Sequence, residues 1–395
     1  MTSLTNNSDN PPAVLPRRSS QAPRYLWKSP NVTSGFRTAV SLHSHTQHSK
    51  EALSFVPRYA HRVPVLTELV RRQEEKYDRM MGKPVDYSKA WWTPPLPSRE
   101  AFDVERKQIH GKLGLQAMVS LTDHDDIEAC TLLQVLEESC GIPISVEWTV
   151  PFGPSFFHMG VHNLPPRDAA PIMAQLAGYT RNPRQETLAG IFAALSETPS
   201  VLIVFNHPLW DEPAVGAAVH NPLVHRFLSL YKNWIHALEL NGLRSWNENY
   251  GVIDLAVHWD IPCISGGDRH ALEPNAIVNL TNASTFDEFA AEVRRDHYSQ
   301  VLFMNHYREP MRLRLMQNLL DVVREYEDHP EGRRSWRDRV FFETPTGEVK
   351  SLSSVWVDDG PRIVQLFMGS IRLLESRWVR NSLRFALANR EEVPA

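Results

Sequence analysis

Two histidines one residue apart, His43 and His45 in SLHSH, follow an apolar run, and an acid and a histidine at the same spacing, Asp268 and His270 in GGDRH, follow another. Imidazole nitrogens and carboxylate oxygens suit Zn, Fe or Mn. In an extended chain the side chains at i and i+2 share a face, so each pair can reach one ion. Further donors recur after other apolar runs: Asp123 and His124 in LTDHD, Glu147 in SVEW, His158 in FFHMG and His207 in VFNHP. Donors at the C-terminal ends of successive parallel strands converge on one mouth when those strands close into a barrel. The chemistry this implies is metal-dependent hydrolysis.

The elements that must position these donors are legible as periodicity. After residue 115, apolar runs of strand length (LQAMVSL, PISVEW, SFFHMGVHNL, VLIVF, IHALEL, IPCISG, AIVNL, QVLFM) alternate with helical patterns (IEACTLLQVLEESCG, RQETLAGIFAALSE, NPLVHRFLSLYKNW, NENYGVIDLAVHWD, FDEFAAEVRRD). That alternation predicts an α/β fold of parallel βαβ units. Residues 59–82 read as an amphipathic helix, and VDYSKAWWTPPLPS as a proline-broken loop whose Trp91 and Trp92 either pack on the scaffold or form a flap. From residue 306 the pattern changes to a largely helical extension. It has a helix over 310–328, an exposed loop HPEGRRSWRDR, short strands near RVFFET and SSVWVD, and a helical stretch from about 362. Residues 1–30 are polar and Pro-rich and read as a loosely attached tail. The expected organisation is therefore a tail (1–30), a catalytic unit (31–305) with an insertion at about 57–114, and an extension (306–395).

Composition bounds the partners. The chain has 395 residues, is 42% hydrophobic and 22% charged, and carries a formal net charge of -4. No nucleic-acid or anionic-membrane signal follows from that balance. Three cysteines (Cys130, Cys140, Cys263) without a CxxC point to buried thiols in a reducing compartment. The N-terminus lacks the apolar core of a secretory signal and no run reaches membrane-span length. The expectation is a cytoplasmic protein, with oligomeric state open.

The order HxH, TDHD, strand-borne Glu, His, HP and G-x-D-x-H over residues 36–305 resembles the PHP (polymerase and histidinol phosphatase) superfamily. The resemblance implies a distorted (β/α)7 TIM-like barrel with two or three divalent ions (Zn, Mn or Fe) that hydrolyses phosphoesters. It implies that His43, His45, Glu147 and Asp268 hold one ion, that Glu147 bridges to a second held also by His158 and His207, and that His124 and His270 serve a third. Glu147 and His158 stand eleven positions apart, as the motif suggests; His162 is the rival on the same face. Two ions about 3.5–4 Å apart can hold a water between them and lower its pKa from about 15.7 towards 7, giving a hydroxide for attack on phosphorus.

The sequence departs from the family in two places. In QHSKEA, Lys50 stands where the family has an acid that helps bind the third ion, flanked by His48 and Glu51. Either neighbour substitutes as the ligand, or Lys50 supplies positive charge to the substrate phosphate in partial replacement of that ion. The segment between HxH and TDHD is also longer than the family's, so substrate choice is least transferable there. Asp123 is a candidate for orienting a ligand imidazole. Arg269 is a phosphate fork if its turn brings it over the metals, and points away if strand alternation holds. Asn206, Asn241 and Arg244 are candidate mouth residues for substrate. The expected reaction is hydrolysis of a small phosphorylated metabolite or nucleotide. The alternatives are a phosphodiesterase or nuclease, for which no polymerase-type or strongly basic module is present, and a non-catalytic metal-binding module. An amidohydrolase-like enzyme would place a lysine where Glu147 stands.

Overall fold

The structure, a computed structural model, describes residues 22–29, 31–54, 64–136, 141–344, 346–356 and 362–373, with positions 360, 376, 378, 379 and 382. The strands in chain order are β1 (Arg24–Tyr25), β2 (Thr38–Leu42), β3 (Glu51–Ala52), β4 (Ala90–Trp92), β5 (Gln116–Ser120), β6 (Ile144–Phe152), β7 (Ser155–Leu164), β8 (Leu202–Asn206), β9 (Ala237–Asn241), β10 (Cys263–Gly266), β11 (Ile277–Thr281), β12 (Gln300–Phe303), β13 (Val340–Glu343) and β14 (Val349–Ser351). Every residue of β2, β8, β9 and β10 is buried, which is why these strands read as near-continuous apolar runs.

The fold is mixed α/β. One sheet has the order β1-β12-β11-β2-β5, a second β10-β9-β8-β7-β6, and a third β14-β13-β4-β3. The first two meet at both ends of the second. Gly267 N donates to Leu42 O (2.9 Å) and His45 N to Arg269 O (2.8 Å); Glu147 N donates to Asp123 O (3.1 Å) and Asp125 N to Glu147 O (2.9 Å). These seams carry single bridges, Ser44 with Arg269 and His124 with Glu147, rather than ladders. Among the described residues no ladder closes the expected barrel.

The all-parallel expectation is corrected in the middle of the chain. β2 and β5, β8 and β9, and β9 and β10 pair parallel, but β7 is antiparallel to both β6 and β8. Only Gly153 and Pro154 separate β6 from β7, too short a link for a crossover. Gly153 takes φ +63 to make that turn. β11 likewise runs antiparallel to β2 and β12.

Two apolar clusters flank the same strands. Trp148, Phe157 and Phe205 pack with Leu176, Phe192 and Phe227 from the helices Ala169–Arg181, Gln185–Glu197 and Ala217–Tyr231. On the alternate positions, Val40, Leu42, Leu202, Val204, Ala237 and Ile264 gather into a second cluster. The helix Trp246–Trp259 begins where Ser245 Oγ accepts from Glu248 N (3.2 Å) and ends at Asp260 in a left-handed conformation. The periodicity reading passed over the helix Ala169–Arg181, whose Pro171 sits in the first turn, where a proline needs no N–H partner. It also passed over Ser98–Gln108.

Other boundaries move. Arg24–Tyr25, expected in the loose tail, pair parallel with β12; residues 1–21 and 30 lie outside the described residues, as do 59–63 of the expected 59–82 helix, which is described over Pro64–Met81. The helix expected to run to Gly141 is described only over Glu128–Gln134, and Cys140 lies outside the described residues; Cys130 and Cys263 are buried thiols. Trp91 and Trp92 are in a strand rather than a loop. The loop HPEGRRSWRDR is not wholly exposed: His329 and Arg339 are buried. The strand expected at SSVWVD lies earlier, at β14. Among the described residues no helix is long and apolar enough to cross a membrane.

Candidate metal centre

From the ends of β2, β5, β8 and β10 and from within β6 and β7, the expected donors come together around one carboxylate. Glu147 Oε2 lies 2.9 Å from His43 Nε2, 3.2 Å from His45 Nε2 and 3.4 Å from His124 Nδ1. Its Oε1 lies 3.2 Å from His207 Nε2 and 3.5 Å from His158 Nδ1. Asp268 Oδ1 stands 3.7 Å from His43 Nε2 and 3.6 Å from His45 Nε2. Three overlapping sets could each hold an ion, their donor atoms within 4.8 Å of one another: His43, His45 and Glu147; His124, Glu147 and His158; and His45, Glu51, His124 and His270. His207 touches the second set through Glu147. His158, not His162, reaches the cluster. His162 Nδ1 instead meets Ser120 Oγ at 2.8 Å, and burial pulls its pKa down to about 3.

The hydrogen-bond network fixes which ring nitrogens face inward. His43 lies between two carboxylates, Nδ1 2.5 Å from Glu239 Oε1 and Nε2 2.9 Å from Glu147 Oε2; against the downward pull of burial they hold its pKa well above the usual histidine value, and with an ion bound Nδ1 would keep its proton for Glu239 while Nε2 offered a lone pair. Ser49 Oγ donates to Glu51 Oε1 (2.6 Å), so it accepts from His45 Nδ1 (3.2 Å), and His45 Nε2 is also a lone pair. The two Nε2 atoms stand 3.2 Å apart and both face a carboxylate oxygen of Glu147. His270 repeats the pattern: Nδ1 donates to Asp268 O (2.8 Å), leaving Nε2 as an acceptor 3.3 Å from Glu51 Oε2. A buried cluster of imidazole nitrogens around carboxylate oxygens is held together by protons on the rings or by metal cations, and imidazole with carboxylate is a donor set that fits divalent ions. Burial alone would raise the Glu147 and Asp268 pKa values. The surrounding imidazoles, with Arg244 beside Asp268, outweigh it and hold both carboxyls well below their usual range.

The backbone is strained at these strand ends. His43 (φ +62) and Asp268 (φ +55) are left-handed, and His207 has φ +27. Such conformations cost about 1–3 kcal/mol each and persist where surrounding contacts over-determine them. Asp268 N donates to His43 O (2.7 Å), tying the two strained residues together. Gly266 and Gly267 are not among the positive-φ residues. They clear space: a Cβ on Gly266 would fall 1.4 Å from Glu239 Oε1, and one on Gly267 1.7 Å from the Asn275 amide.

Glu239 is the residue that sequence reading missed. It is 1% exposed and accepts from His207 N (2.8 Å) and Asn241 Nδ2 (3.1 Å) besides its bond to His43. The available signal was an acid inside the otherwise apolar strand ALELN. Glu239→Gln is expected to weaken metal affinity by ~10–100-fold, the usual effect of losing such a support. A chelator competition titration measures it, and unchanged affinity would reduce Glu239 to a packing residue.

Several expected roles are not where the geometry puts the side chains. Lys50 is exposed, its Nζ over the Trp91 ring at 5.5 Å, and Glu51 occupies the cluster instead. His48 pairs with Glu128 (3.3 Å). Asp123 accepts from Thr46 N (2.5 Å) and Thr46 Oγ1 (2.7 Å), so it anchors the loop after β2 rather than an imidazole. Arg269 points away from the cluster: its Nε donates to Glu105 (2.9 Å) and its Nη1 to Ala271 O (2.9 Å), as strand alternation dictates. Asn206 Nδ2 donates to Glu147 Oε1 (3.0 Å), and Asn241 Nδ2 reaches Asp268 Oδ2 (3.3 Å). Arg244 Nη2 bonds Asp268 Oδ2 (3.1 Å), with its guanidinium 3.9 Å from the Trp210 ring centre.

No family model matches the chain, and no curated protein matches it. Among solved structures, it is similar to a protein of Bifidobacterium adolescentis described as a candidate metal-dependent phosphoesterase, at 12% identity and TM-score 0.34, over 51% of this chain and 91% of that one. It is also similar to an amidohydrolase from Chromobacterium violaceum with bound sulfate and no metal, at 14% identity and TM-score 0.34, over 58% of this chain and 87% of that one.

Proposed function

We propose that this chain is a metal-dependent phosphoesterase of the PHP type, acting on a small phosphorylated molecule. The observation that carries the reading is the convergence of His43 Nε2, His45 Nε2 and Glu147 Oε2, all buried and within 3.2 Å of one another. The distorted (β/α)7 barrel is part of the proposal. β2, β5, β6, β7, β8, β9 and β10 can be followed round a ring through their ladders and the two bridged seams. Side chains from β2, β8, β9 and β10 pack together on one face of it, as a filled barrel requires.

His43, His45, Glu147 and Asp268 would hold one ion, His124, Glu147 and His158 a second with His207 beside it, and His45, Glu51, His124 and His270 a third. Bound Zn, Mn or Fe would supply Lewis acidity and activate a water at neutral pH. Glu147 couples the sets, because all five imidazoles nearest it belong to them or adjoin them. Arg244, fixed by Asp268 and Trp210, is the cation that would meet a substrate phosphate.

Protein purified without chelator is expected to contain Zn, Mn or Fe and to hydrolyse p-nitrophenyl phosphate. Treatment with dipicolinate should reduce the rate to background, and added metal should restore it. Metal-replete protein that cleaves neither phosphomonoesters nor phosphodiesters would overturn the proposal.

A further inference from the structure

The extension after residue 306 builds onto the insertion and, through it, onto the metal cluster. β13 pairs with β4 of the insertion, and β4 pairs with β3, in the register Glu51 with Trp92 and Ala52 with Trp91. The strand that carries Glu51 is two residues long and holds its place through β4. Such a strand has little stability of its own, so its geometry is set by what it leans on. Thr93 N, just past β4, donates to Arg339 O (2.8 Å). Gln47, two residues after His45, donates its Nε2 to Glu331 and receives Arg333 Nη1 on its carbonyl (3.2 Å). His329 Nε2 meets Pro95 O (3.1 Å).

Arg339 fastens the extension to itself. It is 1% exposed, and its two terminal nitrogens donate to the carbonyls of Arg333, Arg334, Val322 and Arg324 at 2.7–2.9 Å. A buried guanidinium whose two terminal nitrogens bond carbonyls of the helix Met311–Val323, its following turn and the 329–339 loop ties all of them to β13.

We propose that the extension is a clamp whose task is to hold Glu51 at the cluster, so that the set His45, Glu51, His124 and His270 binds its ion only while β13 is docked on β4. The set His43, His45 and Glu147 has no ligand on β3; it shares His45, but among the described residues His43 and Glu147 make no contact with the extension, so it is expected to keep its ion when that docking is lost. The inference rests on the metal-centre reading above.

The test is metal content per chain after dialysis against a weak chelator, read by mass spectrometry on the full-length protein. Glu51→Gln marks the signature of losing that set: one ion fewer than the unaltered chain. Arg339→Met is expected to give the same single loss while the other ions stay bound. Glu331→Ala with Arg333→Ala, at an exposed and a half-buried position, keeps the claim testable if Arg339→Met fails to fold. That pair is expected to weaken retention of the same ion by ~10-fold, the lower end for losing a supporting contact. Both variants retaining the full complement as tightly as the unaltered chain would overturn the clamp and leave the metal centre standing. An unaltered chain that binds no metal would instead sink the centre itself.

Discussion

Glu147→Gln is expected to lower metal loading at every donor set and to cut turnover by ~10⁴-fold or more, the scale for removing one member of a catalytic unit. Among the described residues no other side chain touches so many candidate ligands: His43, His45, His124, His158 and His207 all lie within 3.5 Å of its two oxygens. The amide is nearly isosteric, so the packing survives. Its NH₂ group, however, donates to the inward lone pairs that a cation would otherwise occupy, and the negative charge is gone. Metal analysis and kcat on the same preparation check both halves. A variant with full metal and full rate would place the chemistry elsewhere in the molecule.

Arg269→Met is expected to act on stability instead. Arg269 is 2% exposed and its partner Glu105 is fully buried, their bond being 2.9 Å. Glu105 also accepts from Ser41 Oγ (2.8 Å) and Asn275 N (3.1 Å), and Asn275 Nδ2 donates to Leu42 O (2.9 Å), next to His43. Removing one partner of a buried ion pair strands the other charge and costs about 3–5 kcal/mol. Urea unfolding should register that loss, while KM for the substrate in the folded protein stays near its original value. The reverse pattern, a large rise in KM with unchanged stability, would restore Arg269 to the phosphate. Adding Glu105→Gln to Arg269→Met should recover part of the lost stability, because the stranded charge is then removed.

Much of the centre was legible because its donors follow apolar strands directly. The HxH and DxH pairs and the acid in SVEW needed only the alternation of an extended chain to be read as one face. Glu51 was visible only as a substitute for a missing acid, because a two-residue strand has no periodicity to announce it. The third sheet was hidden for the same reason: β3 and β4 are short, and β13 joins them from about 250 positions away. Glu105 sits on the helix Ser98–Gln108, inside an insertion read as one helix and a loop. Without that helix, the destination of Arg269 could be argued only from strand alternation. The antiparallel β6–β7 hairpin was disguised by length, since two strand-like runs with a Gly-Pro between them fit the helix-strand rhythm less well than their apolar content suggested.

The left-handed backbone at His43 and Asp268 also constrains how this chemistry could ever be lost. Valine, isoleucine or threonine at either position would fight the main chain itself, whereas asparagine and glycine settle there without protest. A descendant that abandons catalysis but keeps its shape is therefore funnelled towards those two amino acids, and its retirement would be written in Asn and Gly at the tips of β2 and β10.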